Sequence, residues 1–391
     1  MPIDLKNLLD AMPELSAQLQ ELREILLANA VMFGEIPSPT YGEGGRVRFM
    51  QDRLIEAGCL NVSTDEVGNA VGIHPGQSSS ASHILLVSHL DTPFSNSVDH
   101  TVKVHTNDME GPGILDNSLG LAAIASLPSI LEKLGIKLQS NLVLMGSSRS
   151  LGRGDIEGIR FFLERNLLPI RAGIVVEGGT LGRLSYSSLG MHRGVVTVNL
   201  PHNYDFSRFG ATGAIPVLNR IVTQILGIPI PREPATSIIL GSLDGGTTYN
   251  TVAELAQLRF EIRSEQVGMV GEISDQIDEI CDEVGASTGM EITHEQVARR
   301  HNGGIAYGHP MVKTARGILE SLDIKARPAP TTGELAALIE KEIPGITLGL
   351  TKGNRRHQFD EQVEIEPMFT GLAQLIVMLQ AIDGGLCDVE D

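Results

Sequence analysis

Five polar residues in this chain stand where an apolar run or a Gly-rich turn gives out, and all are of types that bind divalent ions. His89 and Asp91 close ILLVSHLD; Asp116 lies in GPGILDNSLG; Glu177 ends IVVEGG; His357 follows ITLGL within KGNRRHQFDE. In a strand, residues i and i+2 share a face, so His89 and Asp91 project together from the end of theirs. Imidazole and carboxylate donors converging from separate strand ends make an environment for a borderline metal, zinc above all. Asp91 is placed to hold the other imidazole nitrogen of His89 and fix its tautomer, without touching the ion. Each residue also has an ordinary reading. A histidine ending a strand is commonly just hydrogen-bonded, Asp116 can cap the helix that follows it, and Glu177 can be a turn carboxylate. Their joint placement favours a site, because α/β sheets collect ligands at strand carboxyl ends.

Such a site needs a sheet to carry it. Short β-rich runs (NVSTD, NAVGIHP, ILLVSH, NLVLMGS at 141–147, AGIVVEG at 172–178, GITLGL at 345–350) alternate with helical patterns. The helices are expected at 5–31, 47–57, 117–134 (broken or restarted at Pro128), 156–167 and 366–383. GQSSSAS at 76–82 reads as a turn. The alternation predicts an α/β fold, an open mixed sheet with helices on both faces. After Gly190 the pattern changes. GVVTVNL, a helix over 214–226, AELAQLRFEIRS, a helix over 269–284 and MEITHEQ predict a smaller α+β domain at 193–303. It interrupts a discontinuous large domain of 1–192 and 304–391, and two domains suit a chain of 391 residues.

Composition narrows the partners. With 30 basic against 48 acidic residues the net charge is -18, which argues against nucleic acid or an acidic membrane surface as partner. Cys59, Cys281 and Cys387 show no disulfide or metal spacing and are expected to stay free in a reducing compartment. MPIDLKNLLD lacks the basic-then-apolar pattern of a signal peptide, and no apolar run approaches the 18 residues of a membrane span. A cytoplasmic, soluble protein is the expectation.

These motifs together resemble the M20 family of metallopeptidases and deacylases, including its peptidase T-like and carboxypeptidase-like members. SHLDTP resembles the family's histidine–x–aspartate motif, GILDNSLG its aspartate segment, VVEGG its later acidic ligand and HQFDEQVEI its last histidine motif. GSLDGGTTYNTVAE resembles the glycine-rich asparagine motif of the family's lid and dimerisation domain. The resemblance spans nearly the whole chain and implies a zinc-peptidase-like fold and a homodimer. The implied reaction is metal-dependent hydrolysis of amide bonds in small peptides or N-acyl amino acids. By resemblance, His89 and Glu177 bind one metal, Asp116 bridges, His357 binds a second, and Asp91 supports His89. His202 resembles the lid histidine that polarises the scissile carbonyl; Asn250 and Arg263 resemble lid groups holding a substrate carboxylate or oxyanion. Read alone, Arg263 in FEIRSE would pair with Glu261 or Glu265, and His202 would be a loop histidine.

One departure stands out. The family carries two consecutive glutamates after the next core strand, whereas NLVLMGSSRSLGRGD has Arg149 and Ser150 there. Arginine stays protonated and cannot act as a base. Arg149 is therefore expected to replace the second metal and pair with Asp116, leaving one divalent ion, zinc by preference, or none. The alternative turns Arg149 to solvent. Asp155 and Glu157, just downstream, are candidate replacement bases. The basic turn KGNRR at 352–356 either meets an acidic substrate terminus or balances local carboxylates. In TTGEL, Thr331 followed three residues later by Glu334 reads as a capping box. Three functions stay open: a hydrolase, a silent member binding a peptide-like or amino-acid-like ligand, and a structural homodimer.

Overall fold

The strand His83–His89 shows how the larger part of the molecule is built. All seven of its residues are buried, and Ile84 to Val87 alternate between two apolar clusters. Ile84 and Leu86 pack with the helices Leu119–Lys133 and Glu366–Asp383. Leu85 and Val87 pack on the other side, with Ile159 and with Leu335 to Leu338. A strand apolar on both faces must be covered on both, which is why helices flank this sheet.

The structure, a computed structural model, describes residues 4–78, 82–210 and 213–389. It divides into two units, Met1–Ser188 with Gly303–Asp391, and Leu189–Asn302. The larger holds an eight-stranded mixed sheet. Its order is Leu60–Thr64, Ala70–His74, Asn141–Ser147, His83–His89, Ile170–Gly179, Gly345–Thr351, Arg183–Ser185, Arg327–Pro328. The four central strands run parallel, so their carboxyl ends lie along one edge. His89, Glu177 and Ser147 all sit at that edge. The expected turn at 76–82 falls partly outside the described residues.

The apolar helix differs from expectation at Pro128. It runs unbroken from Leu119 to Lys133 with Pro128 inside it. Residues Leu119 to Pro128 are all buried, so tertiary packing outweighs the proline's missing N–H. Ile114–Lys133 is long and apolar enough to cross a membrane by composition, yet 94% of that window is buried within the unit, as in a core helix.

The smaller unit has a four-stranded antiparallel sheet in the order Thr236–Gly245, Leu255–Ser264, Gly190–Asn199, Glu291–Arg300. Val196, Val198, Leu258, Phe260 and Ile262 meet Val217, Leu218 and Ile221 of the helix Ala214–Leu226 and Ile273 and Ile277 of Met269–Thr288. Its helices thus cover one sheet face. The strand Thr236–Gly245 and the helix Pro310–Ser321 were not singled out by patterning.

Candidate metal centre

Asp116 is the hub of the strand-end site. It sits in an irregular turn, Ile114–Ser118, entered through Gly113 at φ 73°, and its peptide to Asn117 is cis. Two neighbours hold the turn on the sheet. The Asn117 amide donates to Ser88 Oγ (2.8 Å) and to the carbonyl of Val176 (2.9 Å), and its oxygen accepts from the Gly178 N–H (2.7 Å). Glu361, fully buried, accepts from the N–H groups of Leu115 (3.0 Å), Asp116 (3.1 Å) and His357 (2.7 Å). One carboxylate thereby ties the Asp116 turn to the His357 loop. The glycine after Glu177 has a steric cause: a Cβ on Gly178 would lie 2.4 Å from the Leu115 carbonyl oxygen.

The side chains then converge. His89 Nε2 is 3.0 Å from Asp116 Oδ1, and His357 Nε2 is 2.9 Å from Asp116 Oδ2. His89, Asp116 and Glu177 each place one ligand atom within 4.8 Å of the others. A nitrogen and two carboxylates at this spacing suit a borderline divalent ion. His357 reaches only the outer oxygen of Asp116 and is half exposed. A guanidinium also enters the cluster: Arg356 Nε is 3.5 Å from Asp116 and its Nη2 is 3.4 Å from Glu177. Of the two readings of KGNRR, Arg356 follows the one in which the turn balances local carboxylates.

Protonation follows from this crowding. Burial opposes charge on Asp116, but the imidazoles of His357 and His89 and the nearby Arg356 hold it well below the usual carboxylate range. Burial works against charge on His89 as well, yet hydrogen bonds to Asp116 and Asp91 raise it well above the ordinary imidazole value. The Asp116 hydrogen bond raises His357. Glu177 is pushed up to about 7, first by burial and then by the Asp116 charge.

Asp91 does something broader than expected. Its backbone carbonyl is 2.9 Å from His89 Nδ1, and its Oδ1 lies at 3.4 Å. Its other oxygen accepts from Thr40 Oγ1 (2.8 Å), Ser150 N (3.1 Å) and Leu151 N (2.8 Å). Asp91 thus anchors the loop that bears Arg149 and Ser150. Arg46, fully buried, donates to the carbonyls of Ile36 and Leu90 (3.0 Å each) and to Ser118 Oγ (2.9 Å). It braces both the His89–Asp91 turn and the Asp116 turn, at the cost of a guanidinium pushed down to about 10 by burial. Nothing in the sequence around Arg46 marks this role, because two of its partners are backbone carbonyls and the third is a serine hydroxyl 72 residues away. Glu361 left a faint signal, as a carboxylate four residues after His357.

Arg149 is not beside Asp116, which corrects the expectation drawn from its position. Its Nη1 donates to Glu157 Oε1 at 2.9 Å, its guanidinium lies 5.4 Å from the Tyr41 ring, and its backbone N–H donates to Glu43. It is not turned wholly to solvent either, being 29% exposed. Asp155 pairs with Arg160 at 2.7 Å, so both candidate replacement bases are bound to guanidiniums. The capping box also fails. Thr331 Oγ1 accepts from Gly333 N (3.1 Å), the helix begins at Leu335, and Glu334 is buried without capping it.

The remaining candidates belong to the smaller unit. His202 and Asn250 lie in exposed loops. Arg263 pairs with Glu261, which also takes Arg193, as its ordinary reading held.

No family model matches the sequence, and no curated protein sequence matches it. Solved structures do match. A tripeptidase from Staphylococcus aureus is 18% identical with a TM-score of 0.74, covering 92% of this chain and 98% of its own. A dipeptidase from Saccharomyces cerevisiae is 11% identical with a TM-score of 0.78, covering 95% and 98%. A dinuclear metal-binding peptidase of the M20 family from Bacillus subtilis is 15% identical with a TM-score of 0.63, covering 93% and 98%. At these identities the likeness is one of fold, and it extends over nearly the whole length of each chain.

Proposed function

We propose that this chain is a metal-dependent hydrolase of the M20 type, acting on amide bonds of small peptides or N-acyl amino acids. The observation that carries the proposal is the convergence of His89, Asp116 and Glu177 within 4.8 Å, at the strand ends of a fold shared with peptidases. One divalent ion, zinc by the chemistry of the donors, would be held by these three residues. Bound there, it would supply Lewis-acid polarisation of a carbonyl and activation of water.

The chain's own residues divide the remaining work. Asp91 and its backbone carbonyl orient the His89 ring, leaving Nε2 to face Asp116. Glu361 holds the main chain at Asp116, and Arg46 holds the Ser118 hydroxyl beyond it. His357, half exposed and with its proton affinity raised by the hydrogen bond to Asp116, is assigned to donate toward a substrate oxygen. Arg356 brings a fixed positive charge against Asp116 and Glu177. On the resemblance of their motifs, His202 is assigned to polarising the scissile carbonyl, Asn250 and Arg263 to substrate binding, and the smaller unit to dimerisation.

A second reading has its own observation. Arg149 and Ser150 stand at the family's glutamate pair, and the nearby Asp155 and Glu157 are engaged by arginines. A member so altered would bind a peptide-like or amino-acid-like ligand without turnover. The test is to strip the purified protein of metal, restore zinc, manganese or cobalt, and assay dipeptides, tripeptides and N-acyl amino acids. Metal-dependent hydrolysis abolished in Asp116→Ala supports the first reading. Calorimetric ligand binding without turnover moves the assignment to the second, and neither activity nor binding leaves a structural role.

A further inference from the structure

Strand parity places four polar residues on one side of the large sheet. Ser147 pairs with His89, Thr347 pairs with Val175, and Glu177 lies two residues beyond Val175. All four share the face of Val87, Met145 and Val175, which pack against Leu335 to Leu338. Glu334 immediately precedes those residues and is 2% exposed. Among the described residues, Ser147 Oγ, Thr347 Oγ1 and Glu334 Oε1 are buried without a hydrogen-bond partner. Buried polar atoms nearly always find one, and a carboxylate is the costliest of these groups to leave unmet. Capping does not explain Glu334, since its side chain makes no cap bond. Glu334 is nevertheless near enough for its charge to act on both His89 and Glu177.

Hydrogen bonding sets this carboxylate apart. Asp91 Oδ2 accepts from Thr40, Ser150 and Leu151, and Glu361 accepts from three backbone N–H groups, whereas Glu334 Oε1 accepts from no donor. A buried carboxylate without donors calls for a cation nearby. We propose that Glu334 is a further anionic residue of the cation site, lending its charge and open oxygen from the helix-covered side of the sheet. It thereby offsets the acidic groups missing at Arg149 and Ser150. This rests on the reading that His89, Asp116 and Glu177 hold a divalent ion.

The test measures Mn²⁺ and Zn²⁺ affinity by calorimetry, and melting of the metal-free protein, for the full chain and for Glu334→Gln, Glu334→Asp and Asp116→Ala. Glu334→Gln should weaken binding at least tenfold while the metal-free protein melts no lower than wild type, because a buried unpaired charge has been removed. Glu334→Asp, which keeps the charge, should recover most of the affinity. A structural role predicts the reverse: lower melting, with affinity within twofold of wild type. That pattern overturns the proposal, as does failure of Glu334→Gln to fold, since a charge kept for an ion is dispensable to the metal-free fold. Binding lost in Asp116→Ala but kept in Glu334→Gln sinks only the role of Glu334. A wild-type chain that binds neither ion sinks the metal reading and this inference together.

Discussion

Two loops of the larger unit each present an arginine, and they use it differently. In the 148–157 loop, Arg149 is satisfied locally by Glu157 and the face of Tyr41. In the 352–361 loop, Arg356 lies within 3.5 Å of Asp116 and of Glu177, the carboxylates a metal would use. The first cation stays with its own loop; the second competes with any ion for the same oxygens. The comparison teaches that an arginine does not always deliver its charge to the place its position in the sequence suggests. A guanidinium takes the nearest available carboxylate, and Coulomb energy favours a partner at 2.9 Å over one across a cleft. The expected guanidinium beside Asp116 exists, but it comes from the other loop.

The comparison can be broken experimentally. The largest effect should come from Asp116→Ala, which removes the carboxylate shared by both imidazoles and Arg356. Divalent-ion affinity should fall by at least about a hundredfold, measured by calorimetry. A loss under threefold would place the ion elsewhere.

Proton competition comes next. An ion must displace protons from His89, whose proton affinity is raised, and from Glu177, which is pushed up to about 7. Both groups take protons as pH falls, so affinity must fall with it. The apparent Kd should weaken as pH falls, most steeply below about pH 7, where Glu177 takes up its proton. Binding independent of pH from 5 to 8 would contradict the assignment of these ligands.

The arginines themselves give the smallest and sharpest contrast. Arg356→Gln removes a partly exposed charge beside the ion and should tighten Mn²⁺ binding about tenfold, after allowance for solvent screening. Arg149→Gln should leave affinity within about twofold, because its charge is already spent on Glu157. Equal effects from both substitutions would erase the distinction between the loops.

Much of the architecture was legible because it is local. The runs ending at His89, Ser147 and Glu177 are apolar on both faces, and such strands read plainly as the interior of a covered sheet. The proline in the Leu119–Lys133 helix misled because burial, which sequence does not show, outweighs a local penalty. Arg46 stayed invisible, and Glu361 nearly so, for a related reason. Their partners are main-chain groups of Leu90, Leu115 and Asp116, and every residue has those. Glu334 was hidden by a good local explanation, a capping motif that the folded chain does not use.

By itself the sequence determined which residues end the central strands, and so which imidazole and carboxylates stand along one edge. That follows from a period of two and from apolar runs that cannot stay in water. Tertiary structure alone decided which cation faces Asp116, what braces its turn, and that Glu334 is buried. Charge pairing and hydrogen bonding depend on separations of a few ångströms between loops distant in sequence, and only folding sets those distances.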